Sequence, residues 1–439
     1  MAAIRAAQLG AAVTIIEKKK LGGTCLNEGC IPTKAMLHSA LLYHEAKTGR
    51  KCGIACDPTV DFPQVVAYKQ SVSDRLIQGI DALLRAGSIR VVQGQASFAD
   101  AHTVRVESSG GVQTLEFDKI IIATGSYGVK APIPGAELPC CIDSRQALSL
   151  ESLPRSMTIV GGGVIGMEFA EVYRALGAEV TVIEAMPRIL PPMSTDLARH
   201  LAADFRKKGV KIIAKASVAA IESGDGGLSV RYALGGKEET VPADGVLIAT
   251  GRRALTEGLT PFALKEDRRR IVIDEKCRTS EPHIYAIGDI AAGYPQLAHT
   301  AEAQARVAAA AIAGRDCGIR LDLIPSVVYT RPEIASVGLS EDEAKAAGMN
   351  YKTARAMMGA NAKSLIAGEA GYIKLIADAD GRLLGAEFQC EEASNLVSEA
   401  ALAIARGMTA EEFSSIVRPH PSVEEAMGEA AEGLLELAK

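Results

Sequence analysis

Cys25 and Cys30 are the residues whose types and spacing point most directly to chemistry. They lie in GGTCLNEGCIPTK with four residues between them. Pro32 follows, and a proline is well placed in the first turn of a helix because its missing N–H has no partner there anyway. The sequence therefore predicts Cys30 at a helix N-terminus, where partial positive charge favours a thiolate. A dithiol poised in this way exchanges with an external disulfide and carries two electrons. Two other readings stand beside this one. The cysteines could be buried structural thiols, or they could belong to a metal site, for which His38 is the only further ligand on the same stretch. Glu17, an acid at the end of a nucleotide-type strand, favours the redox reading.

A second candidate lies near the other end of the chain. His420 precedes Pro421, and Glu425 follows five residues after the histidine. By spacing alone these residues read as Ser422-x-x-Glu425, a capping box for a terminal helix over 423–438, with the histidine a surface residue.

A third group is built for nucleotide phosphates. Residues 157–184 read MTIVGGGVIGMEFAEVYRALGAEVTVIE. A short apolar strand leads into Gly161, Gly163 and Gly166, spaced GxGxxG. A helix-period stretch follows, then a second β-branched strand ending on Glu184. Glycines at these positions let the backbone approach a pyrophosphate at a helix N-terminus, and the acid accepts from a ribose hydroxyl. A carboxylate there repels a 2′-phosphate, which predicts NAD rather than NADP.

These residues must be positioned by a repeated α/β architecture. LGAAVTIIE, from Leu9, matches LGAEVTVIE, from Leu176, at a constant offset of 167 residues. At that offset a first set of three glycines would fall before residue 1. The chain is expected to begin inside the helix of a first nucleotide-binding unit, without that unit's first strand and phosphate loop. Weak binding of that unit's nucleotide by the chain as it stands is a corollary. IIATG (121–125) and LIATG (247–251) read as strands closing the two units, and HIYAIGD (283–289) as another strand ending on an acid. After Leu323 the pattern changes to alternating strands, among them 371–376 and 383–388, with helices over 393–406 and 423–438. That is an α+β domain following α/β ones.

Composition bounds the function classes. The chain has 439 residues, enough for two or three domains. A net charge of −5 and the absence of Trp leave no basic or stacking footprint for nucleic acid. No apolar run approaches the length of a membrane span, and the first residues lack the marks of a signal peptide. A cytoplasmic protein is expected. The nine cysteines are odd in number and mostly scattered, which is not a disulfide framework; no metal is expected.

GGTCLNEGCIPTK resembles the active-site signature of the class I pyridine-nucleotide disulfide oxidoreductases. The resemblance runs along nearly the whole chain: ATGS (123–126), the fingerprint with Glu168, YAIGD, PQLAHTAEAQ (295–304), RPEIASVGLSEDEA (331–344) and HPSVEE (420–425). Within that family the chain is most similar to the dihydrolipoamide dehydrogenases. The resemblance implies two Rossmann-like domains, for FAD and NAD, and a C-terminal α+β dimerisation domain. Their expected bounds are 1–128 (FAD), 129–253 (NAD), 254–322 (return to the FAD and central region) and 323–439 (dimerisation).

It also implies roles for residues. Cys25 is the interchange thiol and Cys30 the thiol against the flavin. Lys34 pairs with Glu168 near the flavin. Glu17 and Asp289 hold FAD hydroxyls, with Ala96, Thr124, Gly125, Ser126 and Ala298 lining the site. Val164 and Ile165 within the fingerprint, Glu184, Val218 and Gly251 surround the NAD. His420, oriented by Glu425, acts on substrate thiols from the partner subunit of a homodimer.

The implied reaction oxidises dihydrolipoyl groups on a lipoyl-bearing protein of a 2-oxoacid dehydrogenase complex or glycine cleavage system. Two departures bear on this. NADPH-using relatives carry Arg where this chain has Glu184 and Leu190, which agrees with NAD. The dehydrogenases commonly carry a second histidine where this chain has Arg418. The alternatives are a non-catalytic dimerisation or scaffold partner, and another NAD(P)H-dependent flavoprotein disulfide reductase.

Overall fold

A computed structural model describes residues 1–224, 227–258 and 264–437. The chain divides into two units. The first comprises residues 1–36, 63–129 and 251–321, the second residues 37–62, 130–250 and 322–439.

The second unit contains a five-stranded, fully parallel sheet. Its order is Lys211–Ala214, Glu179–Glu184, Ser156–Val160, Gly245–Ile248, Cys141–Ile142. The fingerprint strand Ser156–Val160 is central, which explains why Ile159 and Val182 are wholly buried and read as a continuous apolar run. The helix Val164–Ala175 follows it and buries Met167, Phe169, Val172 and Tyr173. A three-stranded antiparallel sheet, Ala216–Gly224, Gly227–Leu234 and Lys237–Ala243, is attached to this layer.

The same unit carries a five-stranded antiparallel sheet in the order Ser326–Val328, Glu333–Gly338, Leu383–Cys390, Tyr372–Asp378, Tyr351–Met357. The helices Ala393–Arg406, Ala410–Ser414 and Glu425–Glu436 contribute Leu396, Phe413 and Met427 to the core that this sheet builds with Ile373, Leu375 and Phe388. The terminal helix begins at Glu425 rather than 423, and Ala438 of its expected span lies outside the described residues. Ser422 and Val423 lie outside the helix, and Glu424 is its N-cap.

The first unit repeats part of the parallel sheet. It opens with the helix Ala2–Gln8, as the repeat predicts, followed by the strand Thr14–Glu17. That strand pairs in parallel with Arg90–Gln93, with Glu17 opposite Gln93; in the second unit Glu184 stands opposite Ala214 in the same way. A second parallel pair joins Ile120–Ile122 to Ile284–Ala286. In the second unit the strand Ser156–Val160 joins the two corresponding halves into one sheet. Among the described residues of the first unit the two pairs are separate sheets. The consequence is visible in burial: Val182 and Ile183 are buried, whereas their repeats Ile15 and Ile16 are only half-buried. A three-stranded antiparallel sheet, Gln95–Phe98, Thr103–Ser108 and Gly111–Glu116, and the helix Ala298–Ile312 complete this unit.

Candidate active site

The two cysteines lie at the junction of two helices. Cys25 is on the short helix Gly23–Glu28, and Cys30 is the first residue of the helix Cys30–Thr48, with Gly29 between them. Asn27 donates from its side-chain amide to the carbonyls of Leu21 and Gly23, at 3.0 and 2.9 Å, and ties the start of the helix that carries Cys25. Both thiols are partly exposed. A hydrogen bond to Cys30, and then burial, hold the Cys25 thiol well above the usual thiol range, while Lys34 and the Ile31 N–H act in the opposite direction. Cys30 stands at the helix N-terminus, where partial positive charge favours a thiolate. Among the described residues no group of three or more His, Cys, Asp or Glu is placed to hold a metal ion.

A polar cluster in the first unit gathers several of the expected flavin residues. Ser126 donates through its hydroxyl to Asp289. Thr124 Oγ1 donates to the Leu255 carbonyl at 2.7 Å, and the Gly125 carbonyl accepts the Leu255 N–H at 2.9 Å. Glu17 Oε1 accepts the Lys19 N–H at 2.8 Å. Ala96 is half-buried on the strand Gln95–Phe98. Ala298 is exposed at the start of the helix Ala298–Ile312, whose N-cap Leu297 offers no capping side chain.

Two arginines in this cluster escaped the sequence reading. Arg252 donates from Nε to Ser126 Oγ and from Nη2 to the Ser126 carbonyl, both at 2.7 Å, and reaches Thr24 Oγ1, next to Cys25, at 3.4 Å. Arg270 fixes the turn after Asp289 by donating to the carbonyls of Asp289, Ala291 and Tyr294. Arg252 directly follows the repeated LIATG turn, and that position was the one available signal. Nothing in the local sequence marks Arg270.

In the second unit the fingerprint glycines are required by close approach. A Cβ on Gly161 would come within 2.4 Å of the Ala249 carbonyl oxygen, and one on Gly166 within 2.0 Å of the Gly161 oxygen. Gly161 also holds φ +112. Gly163 is the N-cap of the helix that starts with Val164 and Ile165, and its Cβ side faces open space. The result is a bare helix N-terminus able to meet a pyrophosphate. Glu184 is buried, with Oε2 accepting the Gly162 N–H at 2.6 Å and Oε1 the Met186 N–H at 2.7 Å. These bonds hold its carboxylate against the glycine loop. Val218 is half-buried on the strand Ala216–Gly224. Gly251, in the first unit, has φ +122 and accepts the Val129 N–H. Glu168 is buried on the fingerprint helix and accepts the Tyr329 N–H at 3.1 Å.

His420 and Glu425 meet. The His420 Nδ1 lies 2.8 Å from Glu425 Oε1, and the imidazole is 75% exposed. Glu425 Oε2 accepts the Ser422 N–H at 2.9 Å. That bond, then the one to His420, holds the Glu425 carboxyl below the usual carboxylate range. The capping reading requires correction. Glu425 is itself the first helical residue, and Ser422 Oγ has no partner among the described residues. Ser422 thus does not cap the helix; its backbone and the imidazole share the two oxygens of Glu425.

Comparison with known proteins gives the family. Residues 1–305 match the family model "Pyridine nucleotide-disulphide oxidoreductase", and residues 324–431 match the dimerisation domain of the same family. The chain is 40% identical to a dihydrolipoyl dehydrogenase of Geobacillus stearothermophilus, over 98% of this chain and 93% of the relative. It is 39% identical to one of Halobacterium salinarum, over 99% and 94%. Among solved structures, LpdA from Mycobacterium tuberculosis superposes with a TM-score of 0.90 at 26% identity, covering 98% of this chain and 97% of that one. The HOCl-induced flavoprotein disulfide reductase RclA from Escherichia coli gives 0.86 at 28% identity, covering 98% and 96%.

Proposed function

We propose, from the premise that the chain belongs to the pyridine nucleotide-disulphide oxidoreductase family, that it is an enzyme oxidising protein-bound dihydrolipoyl groups to the disulfide with NAD+ as the final acceptor. One observation carries the reading: Cys25 and Cys30 form a hydrogen-bonded thiol pair at a helix N-terminus.

The residues present suit both cofactors. The Gly161–Gly166 loop and Glu184 would hold NAD, with Val164, Ile165, Val218 and Gly251 around it. Glu17, Ser126, Asp289 and the uncapped helix start at Ala298 would hold FAD, with Ala96, Thr124 and Gly125 lining the site and Lys34 paired with Glu168 near the flavin. The FAD-binding segments are 1–128 and 254–322, and the NAD-binding domain is 129–253. Bound FAD and NAD+ supply the two-electron acceptors that reoxidise the cysteines.

The chain's own residues perform the thiol chemistry. His420 of one subunit, oriented by Glu425, takes a proton from a dihydrolipoyl thiol of the substrate. The thiolate attacks Sγ of Cys25 in the Cys25–Cys30 disulfide, and Cys30 leaves as a thiolate. The second substrate sulfur then attacks the substrate sulfur of the mixed disulfide, and its proton passes to Cys25. The lipoyl disulfide closes, the Cys25–substrate bond breaks, and Cys25 leaves as a thiol while the first proton remains on His420. Two protons and two electrons have left the substrate, and the cysteine pair is reduced. The dimerisation domain at 324–431 is read as pairing two copies of the chain, and the natural substrate is a lipoyl-bearing protein of a 2-oxoacid dehydrogenase complex or glycine cleavage system. Among the described residues no helix is long and apolar enough to cross a membrane, and we place the protein in the cytoplasm.

The test is direct. Purified protein with dihydrolipoamide should reduce NAD+ and should use NADP+ poorly, and Cys25→Ser and Cys30→Ser should each abolish the reaction. Turnover that survives both substitutions would overturn the assignment of the pair.

A further inference from the structure

We propose that Arg418 is a positioning residue that sets the loop bearing His420 against the start of the terminal helix. The inference rests on the reading of His420 as the base. The Arg418 side chain is 7% exposed, although the loop around it is open and Val417 next to it is 95% exposed. Its guanidinium ties together three helices and the loop. Nη2 pairs with Glu399 on the helix Ala393–Arg406 at 2.8 Å. Nη1 donates to the carbonyls of Phe413 and Ile416 at 3.3 and 3.2 Å, and the group stacks over the Phe413 ring at 4.7 Å. On the terminal helix, Gly428 leaves the space it occupies: a Cβ there would stand 3.1 Å from Nη1.

The geometry accounts for the placement of His420. Glu425 sits one turn before Gly428 on the same helix. Arg418 therefore contacts the helix that presents Glu425 while holding the segment that leads through Pro419 to His420. On the far side Asn361 Nδ2 donates to the Ser422 carbonyl at 2.8 Å. The His420 loop is fixed at both ends, by Arg418 before it and by Asn361 after it. A planar fork is suited to this task because it meets a carboxylate, two carbonyls and an aromatic face together, which a lysine ammonium does not. Exposed imidazoles on unsupported loops sample many orientations, and small misplacements of a base are costly in rate.

Three variants test the proposal: Arg418→Ala, Arg418→Lys and Glu399→Gln. Arg418→Ala is expected to lower kcat with dihydrolipoamide by about tenfold to a hundredfold, with KM changed less than about twofold. NADH-driven reduction of an artificial dye, which takes electrons without the base, should stay within about twofold. Arg418→Lys and Glu399→Gln should fall between wild type and Arg418→Ala. An equal fall of dye and dihydrolipoamide activities would show a general structural role and overturn the proposal, as would an unchanged kcat. A second readout does not depend on the substrate: crystals of Arg418→Ala should show the 2.8 Å contact between His420 and Glu425 lost, and its retention would overturn the proposal. If the wild-type protein reduces dye but does not oxidise dihydrolipoamide, the substrate reading fails instead, and the crystal contact alone decides the role of Arg418.

Discussion

At the scale of single residues, the nicotinamide choice turns on Glu184. Its carboxylate is already used twice, by the N–H groups of Gly162 and Met186. Hydrogen bonds to a charged group are worth about 1.5–3 kcal/mol each, so the side chain holds the glycine loop in place besides its proposed role toward the ribose hydroxyl. Glu184→Arg should therefore do two things. The ratio of NADPH to NADH turnover should rise, and kcat/KM with NADH should fall by about tenfold or more, because the loop loses its anchor. Steady-state rates with both nucleotides check this. An unchanged preference would remove Glu184 from the specificity argument. The types of these residues were readable in the chain: Cys25, Cys30, His420, Glu425 and Glu184 all stand in recognisable spacings. Their partners were not, because a backbone N–H accepted by Glu184, or a guanidinium from Arg252 on Ser126, has no signature in local sequence.

At the scale of elements, the antiparallel sheet contains an ionic cluster that apolar patterning hides. Lys374 is fully buried on the strand Tyr372–Asp378, in a run otherwise of sheet-core residues. Its ammonium meets Glu387 at 2.7 Å, Glu341 at 3.0 Å and Asp196 at 3.4 Å. Asp196 in turn pairs with Arg199 at 2.6 Å and with Arg355. Burial alone would lower the lysine; the Glu387 hydrogen bond and charge outweigh it and hold Lys374 above its ordinary range. Lys374→Met should cost roughly 3–5 kcal/mol, because it strands a buried Glu387 without its cation. Burial tends to raise Asp196, but Arg199, Arg355 and Lys374 more than offset it, and the net shift is downward. The sign follows. A carboxylate whose folded-state pKa is depressed contributes stability that is fully present above its unfolded value, about 3.9. That contribution is lost as pH falls through the depressed value. Asp196→Asn should lower Tm at pH 7 and flatten the fall of Tm below about pH 4. An acid limb as steep as that of wild type would show that other carboxylates control it.

At the scale of the whole molecule, the proposed dimer makes a quantitative prediction. His420 is open to solvent in one chain and is proposed to serve the cysteines of another. The test refolds Cys25→Ser subunits together with an equal amount of His420→Gln subunits. Random pairing makes half of the dimers hybrids, each with one wholly wild-type site, so about a quarter of wild-type activity should return. No recovery, with hybrids verified by mass, would place each site within one chain. The sequence by itself determined where the cysteine pair lies, the fingerprint, the partial repeat of the nucleotide-binding unit and the change to an α+β texture after residue 323. These are written in local spacing and periodicity, where neighbours in sequence are neighbours in space. It read Ser422 as a helix cap and said nothing of Arg252, Arg270 or the anchoring of Arg418, whose contacts join residues from 2 to 228 positions apart. Only the tertiary structure decided these, because hydrogen bonds form between groups that the packing of strands and helices brings together, whatever their separation along the chain.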